Sequence, residues 1–215
     1  MCGSMSPFRY FFANIKPIVM RDPLAGFLGA YVHHEAMLEY SFDEVVKMTG
    51  HACPTVASAF VCCKKALGHL YVGDIPERGN MAVTVHAGAD EKAYGVMGQV
   101  FSFITGACGE GGFKGIGGKF NRQGLLTYAK GTSKEDAGSF TFARLDNGKK
   151  VKARIVPEKF PVVQGQEELP GLMEKALKDT ATHDEVHRFQ DLWMERVKAI
   201  AMEERDVDAW LIIKT

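Results

Sequence analysis

Net charge, paired cysteines and long apolar runs are all missing from this sequence, and each absence narrows what the chain can be. Its 26 basic and 26 acidic residues cancel. It therefore lacks the net basic field that holds nucleic acid or an anionic membrane surface, and neither is expected as a partner. No stretch approaches the roughly 20 apolar residues of a membrane-spanning helix. The apolar run in residues 7–20 is interrupted by Arg9 and Lys16 and lacks the charged, apolar and small-residue order of a secretory signal. A cytoplasmic location is the expectation. The five cysteines, Cys2, Cys53, Cys62, Cys63 and Cys108, include no C-x-x-C pair, which excludes a zinc ribbon or a thioredoxin-type site. An odd count with two cysteines adjacent also argues against a disulfide framework. Internal repeats and low-complexity tracts are absent too.

What is present is ordinary globular material. The chain has 215 residues, 46% hydrophobic and 24% charged, enough for a core that folds without disulfides or a structural metal. Any metal would then be functional. Ser41-Phe42-Asp43-Glu44 is a capping-box pattern and predicts a short helix ending at Gly50. A second, deeply buried helix is predicted from Cys53-Pro54 to about Leu70, with proline at the first helical position, where its missing N–H costs nothing. Residues 81–86 alternate as a strand, and residues 92–105 read as an apolar helix leading into a glycine-dense stretch, 106–118. Strands over 139–145 and 149–156 flank Asn147-Gly148, the preferred dipeptide of a two-residue hairpin turn. Helices over about 168–178 and 184–203, and a short strand at 209–213, complete the chain.

The most informative segment is Gly50-His51-Ala52-Cys53-Pro54. Cys53 falls at the predicted N-cap, where free N–H groups and the positive end of the helix dipole stabilise negative charge on sulfur. His51, two residues away, can bring an imidazole nitrogen to the same point, and Gly50 permits the tight turn. Cys62 and Cys63 turn away along the helix at about 100° per residue and are expected in the core. Cys108, opening the glycine-rich loop, is a candidate third ligand, and His86, at the end of a strand, a candidate fourth. His33 and His34 are assigned to the surface. His183 and His187 share a helix face, but Asp184 stands where a zinc-protease motif has glutamate, and residues 182–185 already read as a capping box. The run Gly109–Gly118 is not a nucleotide loop, since Phe113 and Phe120 occupy positions where the Walker pattern needs Gly and Ser or Thr. A loop over a pocket beside Cys108, with Lys114 and Lys119 available to an anionic ligand, is the expectation.

The pentapeptide, the apolar helix after it, and Ile104-Thr105-Gly106-Ala107-Cys108-Gly109-Glu110-Gly111-Gly112 together resemble the FmdE-like family, whose members are a component of formylmethanofuran dehydrogenase and its stand-alone relatives, over roughly residues 22–130. The resemblance implies an α+β fold with a mixed four-stranded sheet backed by helices, like the substrate domain of glyceraldehyde-3-phosphate dehydrogenase in outline. It also implies a homodimer and a transition-metal site, with His51 and Cys53 matching the family's histidine and cysteine. Thr49 stands where many relatives carry a further histidine, and Val96 and Gln99 where they carry Cys and Asp. Residues 1–160 are expected to form the core domain, and 161–215 a helical extension packed on it.

Three functions follow. One is a dimeric protein holding zinc, or another divalent transition metal, through His51, Cys53, Cys108 and His86, with an open position for chemistry. Another is a thiol enzyme with Cys53 as the catalytic nucleophile. The third is a non-catalytic binding module for a small molecule or partner.

Overall fold

Side-chain caps mark where four of the described helices begin. In the computed structural model, which describes residues 7–31, 36–131, 133–202 and 206–215, Asp22 caps the short helix α1 (Pro23–Phe27) by accepting the Leu24 and Ala25 amides. Ser41 accepts the Glu44 amide while the Glu44 side chain returns to the Ser41 amide, opening α2 (Phe42–Thr49). Gly50 ends α2 in the left-handed region, at φ 77°, which a side chain would resist. Cys53 then caps α3 (Pro54–Leu70). α4 is Tyr94–Thr105, starting two residues later than the apolar pattern predicts. The C-terminal helices are α5 (Leu169–Leu177), α6 (His183–Ala201) and α7 (Val207–Trp210). Cys2, His33 and His34 lie outside the described residues.

Among the described residues two sheets accompany them. β1 (Ile18–Arg21) and β2 (Met37–Tyr40) form an antiparallel pair that the sequence pattern did not reveal. The main sheet has five strands: β3 (Met81–Val85), β4 (Leu126–Tyr128), β5 (Ser139–Arg144), β6 (Lys150–Ile155) and β7 (Leu211–Lys214). They run in the order β4-β3-β5-β6-β7. β3 and β4 are parallel and the other pairs antiparallel, so the sheet is mixed and the fold is α+β. The expected four strands become five: the one that the sequence pattern did not reveal is β4, which pairs in parallel with β3, while the expected C-terminal strand, β7, pairs with β6. That extension is therefore not purely helical. The β5–β6 connection also differs from the expected two-residue turn. Arg144 N–H reaches Lys149 O, leaving a four-residue loop in which Gly148 is left-handed and Asn147 is not.

Alternation divides the main sheet. Met81, Val83, Val85, Phe140, Phe142 and Val151 are wholly buried on the face covered by α3 and α4. The opposite face carries Thr84, Thr127, Thr141 and Lys152, as the pairing register requires. α3 is buried nearly all round, as befits a helix enclosed by the sheet, α2, α4 and α6. Cys62 and Cys63 are fully buried in it. Among the described residues no helix is long and apolar enough to cross a membrane.

Candidate functional site

The His51–Cys53 turn is built by the end of one helix and the start of another. Thr49 Oγ1 donates both to Val45 O, at 3.0 Å, and to His51 O, at 2.9 Å, closing the turn on the last residue of α2. His51 is exposed, and its Nδ1 lies 3.0 Å from Thr49 O. A carbonyl oxygen can only accept, so Nδ1 carries the proton and Nε2 of the neutral ring is left with its lone pair. Ala52 O accepts the Trp193 indole N–H at 2.9 Å, so α6 holds the turn from outside. Cys53 adopts an extended backbone (φ −148°, ψ 167°) and its sulfur accepts the Val56 amide at 3.4 Å. The thiol is half-buried, unlike Cys62 and Cys63, whose burial pushes both thiols upward.

Two adjoining cavities lie at the C-terminal end of β3, and neither is lined by His51 or Cys53. The smaller, about 160 Å³, is lined by Thr55, Lys92, Tyr94, Phe140, Ile155 and Glu158 among others. The larger, about 460 Å³, shares Lys92, Tyr94 and Gly138 with it and adds His86 and Glu91. Lys92 sits at φ 47°, a conformation uncommon for a residue with a side chain. The nearest contribution of α3 to either cavity is Thr55.

The other two residues singled out as ligands do not join His51 and Cys53. His86 extends the outward-facing row of the sheet, with Nε2 2.8 Å from Thr141 Oγ1. α3 covers the opposite face, and the period-two alternation of a strand puts His86 on the wrong side. Its Nδ1 is buried and has no hydrogen-bond partner among the described residues. Desolvation, with the Lys152 charge adding, holds its pKa below the ordinary value. Cys108 follows the last turn of α4, whose twelve residues span about 18 Å. Tyr94, at the start of α4, lines the same cavity as Thr55, so Cys108 lies at the far end of the helix layer. There Ser102 Oγ donates to its sulfur at 3.6 Å, and the thiol reaches Gly106 O at 3.4 Å. Among the described residues no group of three His, Cys, Asp or Glu side chains could hold a metal ion. His183 and His187 are exposed on α6, with Nε2 atoms 3.2 Å apart, behind the expected capping box.

One cluster had no sequence signal at all. Asp22, 3% exposed, accepts Arg78 Nη1 at 3.1 Å and Arg122 Nη2 at 2.6 Å. Burial acts to raise its carboxyl, but Arg122, the Ala25 amide and Arg78 outweigh that and hold it below the ordinary value. The partners are 56 and 100 residues away, and no short motif could have shown them.

No protein-family model and no curated protein matches the sequence. The geometry therefore carries the functional reading.

Proposed function

We propose that the protein binds one zinc-like divalent transition-metal ion through the His51 imidazole and the Cys53 sulfur, with positions left open for a small-molecule ligand, in the manner of the FmdE-like component of formylmethanofuran dehydrogenase. The supporting observation is the contact that orients His51. Thr49 O accepts the hydrogen bond from Nδ1–H, leaving the Nε2 lone pair for a metal, and histidines that ligate metals characteristically donate their second N–H to a backbone carbonyl in this way. The Val56 amide steadies the Cys53 sulfur, and nitrogen with sulfur is the donor set of a borderline-soft ion. His51 and Cys53 fit as donors, while Cys108 and His86 are engaged elsewhere. When bound, such an ion supplies Lewis acidity at its open positions. The homodimer implied by the resemblance would let a second copy contribute further donors.

Cobalt(II) titration of the purified protein tests this, because thiolate ligation gives a near-ultraviolet charge-transfer band. We expect a band that saturates, is abolished in Cys53→Ser, is weakened in His51→Ala, and is unchanged in Cys108→Ser and His86→Gln. A wild-type protein showing no such band would end this reading.

The half-exposure of Cys53, set against the burial of Cys62 and Cys63, favours a second reading in which Cys53 is a nucleophile. Iodoacetamide should then label Cys53 first in metal-free protein near about pH 7. Labelling no faster than at Cys62 and Cys63 would remove it.

A further inference from the structure

The glycine-rich loop and the Asp22–Arg78–Arg122 cluster meet at a third cavity, at the opposite end of α4 from Cys53. Its volume is about 360 Å³, within the range of small-molecule sites. Arg78, Arg122 and Lys119 line it, with Leu24, Phe120 and Leu145 supplying apolar wall. Glu77 is also on the wall, but its carboxylate is paired with Arg21 at 3.3 Å.

The two arginines differ in what they have left to give. Arg78 donates to Asp22 and to the carbonyls of Phe103 and Ile104 at the end of α4, and so serves as a helix cap. Arg122 is 9% exposed, and among the described residues its only side-chain hydrogen bond runs from Nη2 to Asp22. Its Nε and Nη1 have no protein acceptor among the described residues. Two guanidiniums against the single Asp22 carboxylate leave an excess positive charge, to which Lys119 adds. These nitrogens are not sealed from solvent, since the buried unpaired side-chain atoms among the described residues are the Tyr71 hydroxyl and His86 Nδ1, so a bound anion would take the place of water.

The loop backbone is shaped to this cavity. Ile116 and Lys119 exchange both backbone hydrogen bonds, each 2.9 Å, across Gly117 and Gly118 at φ 56° and 78°. That is a type I′ turn, which needs left-handed residues at both central positions, and it sets Lys119 at the lip. Phe120 follows at φ 62°, where a bulky side chain is rarely found. Backbone strain of this kind concentrates around ligand sites.

We propose that this cavity binds a small organic oxyanion, a carboxylate or phosphate on an apolar body, with the unused N–H groups of Arg122 taking the anion and Lys119 closing over it. Arginine suits both groups because its planar donors match their oxygens. The leucines and Phe120 receive the apolar part. The site is independent of the His51–Cys53 reading.

Calorimetric titration of the full chain at low salt, with benzoate, phenyl phosphate and the uncharged benzamide, tests the proposal. At least one anion is expected to bind in the millimolar range or tighter and benzamide to bind far more weakly; the better anion identifies the carboxylate or phosphate source. Arg122→Lys keeps the charge but loses the planar donors and should weaken binding about tenfold. Leu145→Glu places a like charge at the exposed mouth without touching the ion cluster and should weaken it several-fold, so the test survives if the Arg122 variant fails to fold. Benzamide binding as well as the anions, no binding of either anion, or unchanged affinity in folded Leu145→Glu would overturn the proposal.

Discussion

Position within an element decides what each titratable side chain can do. Cys53 and Cys63 belong to the same helix, yet one caps its first turn half-exposed and the other is sealed in the core. Only the first can meet a metal or an electrophile. His86 shows the same dependence. Desolvation and then Lys152 hold its pKa below the ordinary value, so the fold favours the neutral ring. In the unfolded chain it takes up a proton at its ordinary pKa, and stability therefore rises with pH wherever the unfolded state binds more protons. The contribution is present above the ordinary histidine range and lost as pH falls below it toward the folded pKa. Urea midpoints measured between about pH 7.5 and 5 should fall in the wild type and fall less in His86→Gln. Parallel profiles would acquit His86.

At the scale of elements, capping and periodicity were read directly. The Ser41–Glu44 box, the proline-led start of α3 and the alternation of β3 all act between residues a few positions apart, and all are present. Replacing Ser41 by alanine leaves the Glu44 amide without its side-chain acceptor and should cost about 1 kcal/mol, measurable by urea denaturation. Because α2 carries the Thr49 and Gly50 that shape the His51 turn, the same variant should weaken cobalt binding. The shifted start of α4 and the four-residue β5–β6 loop escaped prediction for a common reason. An apolar run does not mark its own first hydrogen bond, and Asn-Gly permits a two-residue turn without requiring it when Arg144 can pair with both Asp146 and the Leu70 carbonyl.

In the whole molecule, distant segments complete local sites. Trp193 on α6 donates to Ala52 O, 141 residues earlier, and so ties the C-terminal helices to the candidate site. Trp193→Phe keeps most of the packing and removes that bond. It should cost about 1 kcal/mol and raise the iodoacetamide labelling rate of Cys53 relative to Cys108; an unchanged ratio would show that the bond does not restrain the turn.

The sequence alone determined the Ser41 and Thr182 capping boxes, the buried character of α3 with Cys62 and Cys63, and the placing of Cys53 at a helix start. Each depends on interactions within a few residues or on simple alternation. Only the tertiary structure decided the rest. It put His86 on the far face of the sheet and Cys108 at the far end of α4, brought β4 in beside β3, and joined Asp22, Arg78 and Arg122. Those outcomes depend on which way a sheet face turns and on contacts across 56 to 100 residues, and no local pattern encodes either.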